Sequence, residues 1–287
     1  MSVLYFGDPL GALALLDRGV RLVGVVHGRP GGVGRSRLIP QVRHLPRWTT
    51  PDLADPVVVA ALAALEPALI VGCFYPRRIP MAVLDLAPGL NVHPSDLPRW
   101  RGPDPCHWTV RAGDATTALC VQWLAEGLDE GAVLSREVLA VGPRENAGHL
   151  ATRLERLGAE RIAEVAVRVL GGEIIEATPQ SGEVTWAPLV PGDDLEIDWS
   201  RPAAEVDRLV RASAPDPGAF TGIGSELIVV FAGQPVEAGA FSVLPPGTPF
   251  VRKGLAHIRC ADEAYRLDRL QVGRKALSGR AFAGLLV

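Results

Sequence analysis

Four short apolar runs, set apart by helix-length stretches, constrain this chain more than any other feature. Residues 2–6, 20–26, 68–73 and 89–92 are strand-length and mostly apolar. Between them, residues 10–17, 56–65 and 80–86 have helical composition. The second of these opens on Pro56, at a position where a missing N–H costs nothing. Strands alternating with helices close as right-handed βαβ units around a mostly parallel sheet. Residues 118–124 and 132–139 follow with a tight Gly-rich connection, which predicts an antiparallel addition to that sheet. Residues 146–170 read as a long amphipathic helix with Leu150, Leu154, Leu157, Ile162, Val165 and Val169 on its apolar side. Residues 27–50, rich in Gly, Pro and Arg, read as one long loop.

The composition changes near residue 178, where Thr-Pro-Gln-Ser-Gly is followed by Pro-Leu-Val-Pro-Gly-Asp-Asp. Beyond it, residues 202–212 read as a helix. Residues 227–231, 234–243, 255–259 and 264–271 read as short strands punctuated by Gly and Pro. The expected organisation is an α/β domain with a Rossmann-like, mostly parallel sheet over residues 1–177. A linker at 178–193 and a small OB-like β-barrel domain over 194–287 complete it.

Several classes fall away on composition. With 48% hydrophobic and 21% charged residues, the 287-residue chain is neither a disordered tail, a collagen nor a coiled coil. Its longest apolar run, residues 57–65, is far short of the roughly 20 residues that span a bilayer, so no membrane partner is expected. The N-terminus lacks a basic n-region and meets an acid at Asp8, so no signal peptide is expected. Cys73, Cys106, Cys120 and Cys260 lack paired spacing, which predicts reduced thiols and a cytoplasmic location. A net charge of −3 provides no global basic field for nucleic acid.

Chemistry concentrates in Asn91-Val-His93-Pro-Ser95-Asp-Leu-Pro98 and the Arg-Trp-Arg-Gly-Pro-Asp-Pro that follows. Asn91 and His93 are two apart on a strand, hence on one face and about 6.5–7 Å apart. They lie at the carboxyl end of that strand, where ligands bind in open α/β sheets. Asp129 sits in Glu126-Gly-Leu-Asp129-Glu-Gly131, between two apolar strands. It reads either as a solvated hairpin acid or as a carboxylate that reaches His93, orients the ring and supports proton transfer. Other candidates fail. Residues 28–36 have neither the Lys nor the Gly spacing of a phosphate loop, and residues 7–11 are not G-x-G-x-x-G. Cys106-His107 has no second pair at zinc spacing, so no metal is expected. No G-x-S-x-G nucleophile elbow is present.

The run from Asn91 to Pro105 resembles the signature of 10-formyltetrahydrofolate-dependent formyltransferases, Asn-x-His-x-Ser-Leu-Leu-Pro followed by an aromatic-Arg-Gly-x-x-Pro. Asp129-Glu-Gly131 is similar to their Asp-x-Gly motif. Ile197-Asp-Trp199-Ser-Arg-Pro202, Pro217-Gly218-Ala-Phe and Gly273-Arg-Lys-Ala-Leu-Ser resemble the C-terminal domain of methionyl-tRNA formyltransferases, so the resemblance covers nearly the whole chain. It implies formyl transfer from 10-formyltetrahydrofolate to a primary amine, with Asn91, His93 and Asp129 as the catalytic trio. It places folate along Ser95, Asp96, Leu97 and Pro98 and beside Phe74, Tyr75 and Ile79. Three departures from the family pattern bear on folate geometry and acceptor: Asp96 for a Leu, Phe74-Tyr-Pro-Arg-Arg for Ala-Tyr-Gly, and Thr117-Ala-Leu-Cys for Thr-Gly-x-Thr.

The acceptor is harder to read. Arg29-Pro-Gly-Gly-Val-Gly-Arg35-Ser-Arg37-Leu-Ile-Pro is similar to the basic loop of methionyl-tRNA formyltransferases, which implies that Arg29, Arg35 and Arg37 meet tRNA phosphates. The same stretch also reads as a surface loop in an Arg-rich chain. The alternatives are an N-formyltransferase acting on an amino-sugar nucleotide or another small amine, and an RNA-binding protein without catalysis. A formyltetrahydrofolate hydrolase is disfavoured because the motif-bearing fold is expected to begin at residue 2.

Overall fold

The computed structural model describes residues 1–286. It divides into two compact units, one joining Met1–Pro105, Thr116–Ala140 and Ala151–Pro188, the other Cys106–Ala115, Val141–Leu150 and Leu189–Val287. In chain order the first elements are β1 (Ser2–Gly7), α1 (Pro9–Asp17), β2 (Arg21–His27), α2 (Arg35–Val42) and β3 (Arg47–Thr49). Next come α3 (Pro56–Ala63), β4 (Leu69–Cys73), α4 (Met81–Leu84), β5 (Gly89–His93) and α5 (Pro105–Ala112). β6 (Thr116–Trp123), β7 (Val133–Ala140) and α6 (Ala147–Leu170) follow; α5 beyond Pro105 and the first turn of α6 fall in the second unit.

The seven strands form one sheet in the order β3-β2-β1-β4-β5-β6-β7. β1 to β5 pair in parallel, and β6 and β7 are added antiparallel, as the tight connection between them predicts. β4 is buried along its whole length, which is why it reads as an unbroken apolar run rather than an alternating one. α3 starts where expected because the Asp55 carboxylate accepts the Val57 N–H at 2.8 Å, just before Pro56. Leu4, Phe6, Val26, Leu62, Ile70 and Val83 fill one face of the sheet.

Residues 27–50 are not one loop: they hold α2 and the three-residue β3. α2 carries an internal Pro40 and buries only Leu38 and Val42, so it has almost no helical periodicity to read. The stretch expected as a linker over 178–193 begins as paired backbone. Thr178 and Val133 exchange two 2.8 Å hydrogen bonds, and the Ala187 N–H donates to the Arg101 carbonyl at 2.7 Å.

In the second unit, α7 (Ala203–Ser213) is followed by β8 (Ala219–Ile223), β9 (Glu226–Val236), β10 (Pro249–Arg252) and β11 (Leu255–Arg259). β12 (Ala264–Val272), β13 (Lys275–Ser278) and α8 (Gly279–Ala283) end it. The strands pair antiparallel in the order β10-β11-β12-β9-β8, with β13 on β12. Trp199, Val206, Val210, Ile228, Ile258 and Leu267 share its core, and the Trp199 indole N–H donates to Thr221 Oγ1 at 2.9 Å. The two strands expected over 227–243 are a single β9 followed by a helical turn at Gly239–Val243. Gly233, which reads as a break in sequence, lies inside β9 at a close approach of strands, where a Cβ would lie 2.3 Å from the Arg266 carbonyl oxygen. All four cysteines are free and buried. Among the described residues no helix is long and apolar enough to cross a membrane.

Candidate active site

β5 carries Asn91 and His93 to the carboxyl end of the sheet, one strand from β4 and two from β1. Between β1 and β4 the strand order reverses, the position where open α/β sheets bind ligands. Antiparallel pairing with β6 sets Gln122 opposite Asn91 and Cys120 opposite His93. The loop after β6 returns Asp129 to this face, with its backbone in the left-handed region at φ +55°.

The Asp129 carboxylate is 8% exposed and is met on both oxygens. Oδ1 accepts from Gln122 Nε2 at 3.0 Å and from Asn91 Nδ2 at 3.5 Å. Oδ2 accepts the Gly102 backbone N–H at 3.1 Å and stands 3.4 Å from His93 Nδ1. The other ring nitrogen, Nε2, is 2.9 Å from the Trp100 carbonyl oxygen, so both His93 nitrogens face oxygen acceptors. Whichever ring nitrogen carries a proton has an acceptor waiting, and the ring is fixed in one plane. Asn91 engages one amide hydrogen here and keeps a second to donate. Gly131 closes the loop with no room for a side chain, since a Cβ there would lie 1.7 Å from the Trp123 carbonyl oxygen.

The structure thus brings Asn91, His93 and Asp129 together. It also supplies Gly102, a motif residue given no role of its own from sequence, and Gln122 and Gln180, which the motifs do not reveal. Gln122 has a signal in retrospect: it is a buried polar residue in an apolar strand, opposite Asn91. Gln180 has none, because it lies in an irregular stretch far along the chain. Its Nε2 donates to the carbonyls of Asp129 and Gly131, both at 2.8 Å, and its Oε1 accepts from Arg101.

The residues expected along folate are spread more widely. Ser95 is fully buried and its Oγ donates to the Arg99 carbonyl at 2.6 Å. Asp96 forms an ion pair with Arg136. Leu97 packs with Ala118 and Cys120, and the Pro98 carbonyl accepts from the Thr185 N–H at 3.3 Å. Tyr75 sets its ring edge against Phe6, 5.4 Å between centroids, and Ile79 is in the core beneath. Burial pushes the Tyr75 hydroxyl above its usual pKa. Phe74, at φ +53°, lines a cavity of about 310 Å³ together with Asp8, Leu10, Arg29, Cys73 and Glu155.

That cavity lies at the carboxyl ends of β1 and β4 and holds one of the three expected acceptor-binding arginines. Arg29 donates to Asp8 at 2.8 Å and lies 3.8 Å from Glu155. Burial, with Asp8 nearby, raises the Glu155 carboxyl above the usual carboxylate range. Arg35 starts α2 with its Nη1 buried and without a hydrogen-bond partner among the described residues, while Arg37 is exposed on the same helix.

Comparison with known proteins places this geometry. The formyl transferase family matches residues 21–166, and the formyl transferase C-terminal domain matches residues 190–285. A methionyl-tRNA formyltransferase of Roseobacter denitrificans is 33% identical over 297 residues, covering 98% of this chain and 94% of that protein. One from Chloroflexus aurantiacus is 33% identical over 305 residues, covering 98% and 96%. Among solved structures, HypX from Aquifex aeolicus in complex with tetrahydrofolic acid superposes with a TM-score of 0.68 at 19% identity. It is covered over 46% of its length against 98% of this chain, which therefore spans about half of HypX. An N-formyltransferase from Helicobacter canadensis, in complex with folinic acid and dTDP-3-aminofucose, gives 0.68 at 10% identity, covering 93% of this chain and 97% of that one. Those two likenesses concern the fold. Both family domains and the near full-length identity to its curated members settle the rest: the chain belongs to the formyl transferase family and is a folate-dependent formyltransferase.

Proposed function

We propose that the protein moves the formyl group of 10-formyltetrahydrofolate to the amino group of methionyl-tRNA, with Asn91, His93 and Asp129 as the catalytic residues. The observation that carries this reading is the Asp129 carboxylate set between the Asn91 amide and the His93 ring at the end of β5. The acceptor rests on the relatives of 33% identity that are methionyl-tRNA formyltransferases over nearly their full length.

The chemistry follows from the donors. The acceptor nitrogen attacks the formyl carbon, a new C–N bond forms and the carbonyl oxygen takes the electron pair. The second amide hydrogen of Asn91 donates to that oxyanion. His93 joins it by turning its Nε2 N–H from the Trp100 carbonyl to donate a hydrogen bond to that oxygen, without giving the proton up; such contacts commonly tighten only once substrate is bound. Collapse breaks the bond to folate N10, which gains a proton as the new amide nitrogen loses one. Asp129 keeps the ring oriented throughout. No covalent enzyme intermediate is formed. For the donor, Ser95, Leu97, Tyr75 and Ile79 are turned inward, so recognition in this reading falls to backbone groups of the two segments and to Phe74.

A second reading, a small amine as acceptor, has its own support. The cavity beside Phe74 is walled by Asp8 and Glu155, and Arg29 is already paired with Asp8 instead of being free for a phosphate. The experiment is release of tetrahydrofolate with initiator methionyl-tRNA, with amino-sugar nucleotides and with hydroxylated amino acids as acceptors. Turnover with methionyl-tRNA supports the first reading. Turnover only with a small amine replaces it by the second. None with any acceptor removes both.

A further inference from the structure

We propose that Gln180 is a positioning residue for catalysis, holding Asp129 in the geometry that faces His93. The proposal rests on the reading of Asp129 given above and extends it to a residue 51 positions away.

The orientation of the Gln180 amide is fixed by its neighbours. Arg101 has only donors, and its Nε and Nη2 reach Gln180 Oε1 at 3.1 and 2.8 Å. The backbone carbonyls of Asp129 and Gly131 are only acceptors, and both lie 2.8 Å from Nε2. Gln122 Oε1 is also 3.1 Å from Nε2. With two N–H bonds for three acceptors, one hydrogen is shared. Because Gln122 turns its oxygen to Gln180, its nitrogen must point the other way, to Asp129 Oδ1 at 3.0 Å. A directed chain results: Arg101 to Gln180, Gln180 to Gln122, Gln122 to the carboxylate.

Asp129 needs such a hold. Its backbone lies in the left-handed region, which a non-glycine residue keeps where its surroundings define it. Gln180 grips the carbonyls on both sides of Glu130, and Arg101 reaches the Glu130 carboxylate at 3.3 Å. The loop tip is thus clamped at three successive residues, by groups whose own partners are fixed. Without the Gln180 amide, two backbone carbonyls lose a donor and Gln122 is free to turn its nitrogen away. The carboxylate would then keep the Gly102 N–H and lose its defined angle to the His93 ring. Gln180→Glu is as damaging as truncation: the pair with Arg101 survives, but an oxygen replaces the nitrogen facing two carbonyl oxygens.

Steady-state turnover of 10-formyltetrahydrofolate, with the acceptor that supports it, tests this in Gln180→Ala, Asp129→Asn and the double variant. For Gln180→Ala the expected result is a kcat lower by about 10- to 100-fold with the folate KM within about 3-fold of the unmodified protein. In the Asp129→Asn background the same change should cost less than about 3-fold, because the carboxylate being oriented is gone. Losses that multiply across the two sites, or a raised KM with kcat intact, overturn the positioning role and leave Asp129 untouched. Normal turnover in Asp129→Asn overturns the reading of Asp129 and this inference with it. If Gln180→Ala does not fold, Gln122→Met breaks the last link alone, and the same non-additivity with Asp129→Asn is required of it.

Discussion

Asn91 and Gln122 face each other across the β5–β6 pair, and both turn their amide nitrogens to the same oxygen of Asp129. The bond from Gln122, at 3.0 Å, is the firm one; that from Asn91, at 3.5 Å, is marginal. The division suits the roles proposed for them. Gln122 holds the carboxylate, and Asn91 is left loosely attached with donor capacity for a substrate oxygen.

Removal of Asn91 or of His93, the two groups that face a substrate oxygen in this reading, should be felt in the chemical step. Asn91→Ala and His93→Ala are each expected to lower kcat by about 10²-fold or more, the scale of losing an oxyanion-hole donor or a general acid. Circular dichroism checks that both variants stay folded. Near-normal turnover in either folded variant would remove that residue from the mechanism.

Gly131 is the point where the loop has no slack. A Cβ there meets the Trp123 backbone carbonyl, which has no side-chain freedom to yield. Gly131→Ala is expected to destabilise the protein by about 1–3 kcal/mol, as overpacking does, and to lower turnover by displacing Asp129. Gly19→Ala, whose Cβ would meet nothing within 4 Å but whose φ is +75°, gives the contrast. It pays backbone strain without touching the site, so turnover should be unchanged. Thermal unfolding and turnover of both variants separate the two effects.

Asn91 and His93 were legible from local rules, because strand periodicity puts them on one face. Asp129 was not: its local sequence fits a solvated hairpin acid equally, and only the resemblance to the Asp-x-Gly motif joined it to the pair. Gln122 was half-legible, as a polar residue among apolar ones. Gln180 was not, because its place is set by a tertiary return: the stretch 178–187 pairs with Val133 and Arg101, which are far away in sequence. Tyr75 and Ile79 illustrate the opposite limit. A motif position says which segment borders a ligand, while packing against Phe6 and the core decides where each side chain points.

His27 gives the fold a pH dependence of definite sign. It is 2% exposed, its Nδ1 lies 3.2 Å from the Gly7 carbonyl oxygen, and its Nε2 has no partner among the described residues. Burial lowers its pKa, so the folded state favours the neutral ring. The unfolded state then binds the extra proton more readily, and stability rises with pH. This contribution is present above the unfolded histidine value of about 6.5 and is lost as pH falls through the depressed folded value. Thermal midpoints of the unmodified protein and His27→Asn should differ in slope over that window, with the steeper acid loss in the unmodified protein. Equal slopes would place the acid sensitivity elsewhere.

The thiols answer to the same physics. Burial raises the Cys120 thiol to about 11 and the Cys260 thiol to about 12, and both residues are fully buried. Since the thiolate is the reactive form, iodoacetamide at pH 8 should label neither in the folded protein and both in denaturant. Mass spectrometry of the labelled peptides reads this, and labelling of native Cys120 would mean that β6 opens on the time scale of alkylation.

Salt dependence addresses the acceptor through two arginines, Arg29 and Arg37, that the fold treats differently. Each phosphate contact contributes a slope of about −0.7 to −0.9 in log affinity against log salt, so losing one should flatten the slope by about that amount. Arg29 is paired with Asp8 and faces Glu155, so its positive charge is already answered within the protein. Arg37 is exposed on α2. For methionyl-tRNA binding, Arg37→Ala is expected to reduce the slope by about one contact and to weaken affinity most at low salt. Arg29→Ala is expected to leave the slope nearly unchanged while altering turnover, since it removes charge from the wall of the cavity beside Phe74. Equal slope changes for the two would mean that Arg29 leaves Asp8 to meet a phosphate. An unmodified protein that does not bind methionyl-tRNA even at low salt would exclude that acceptor and leave the small amine.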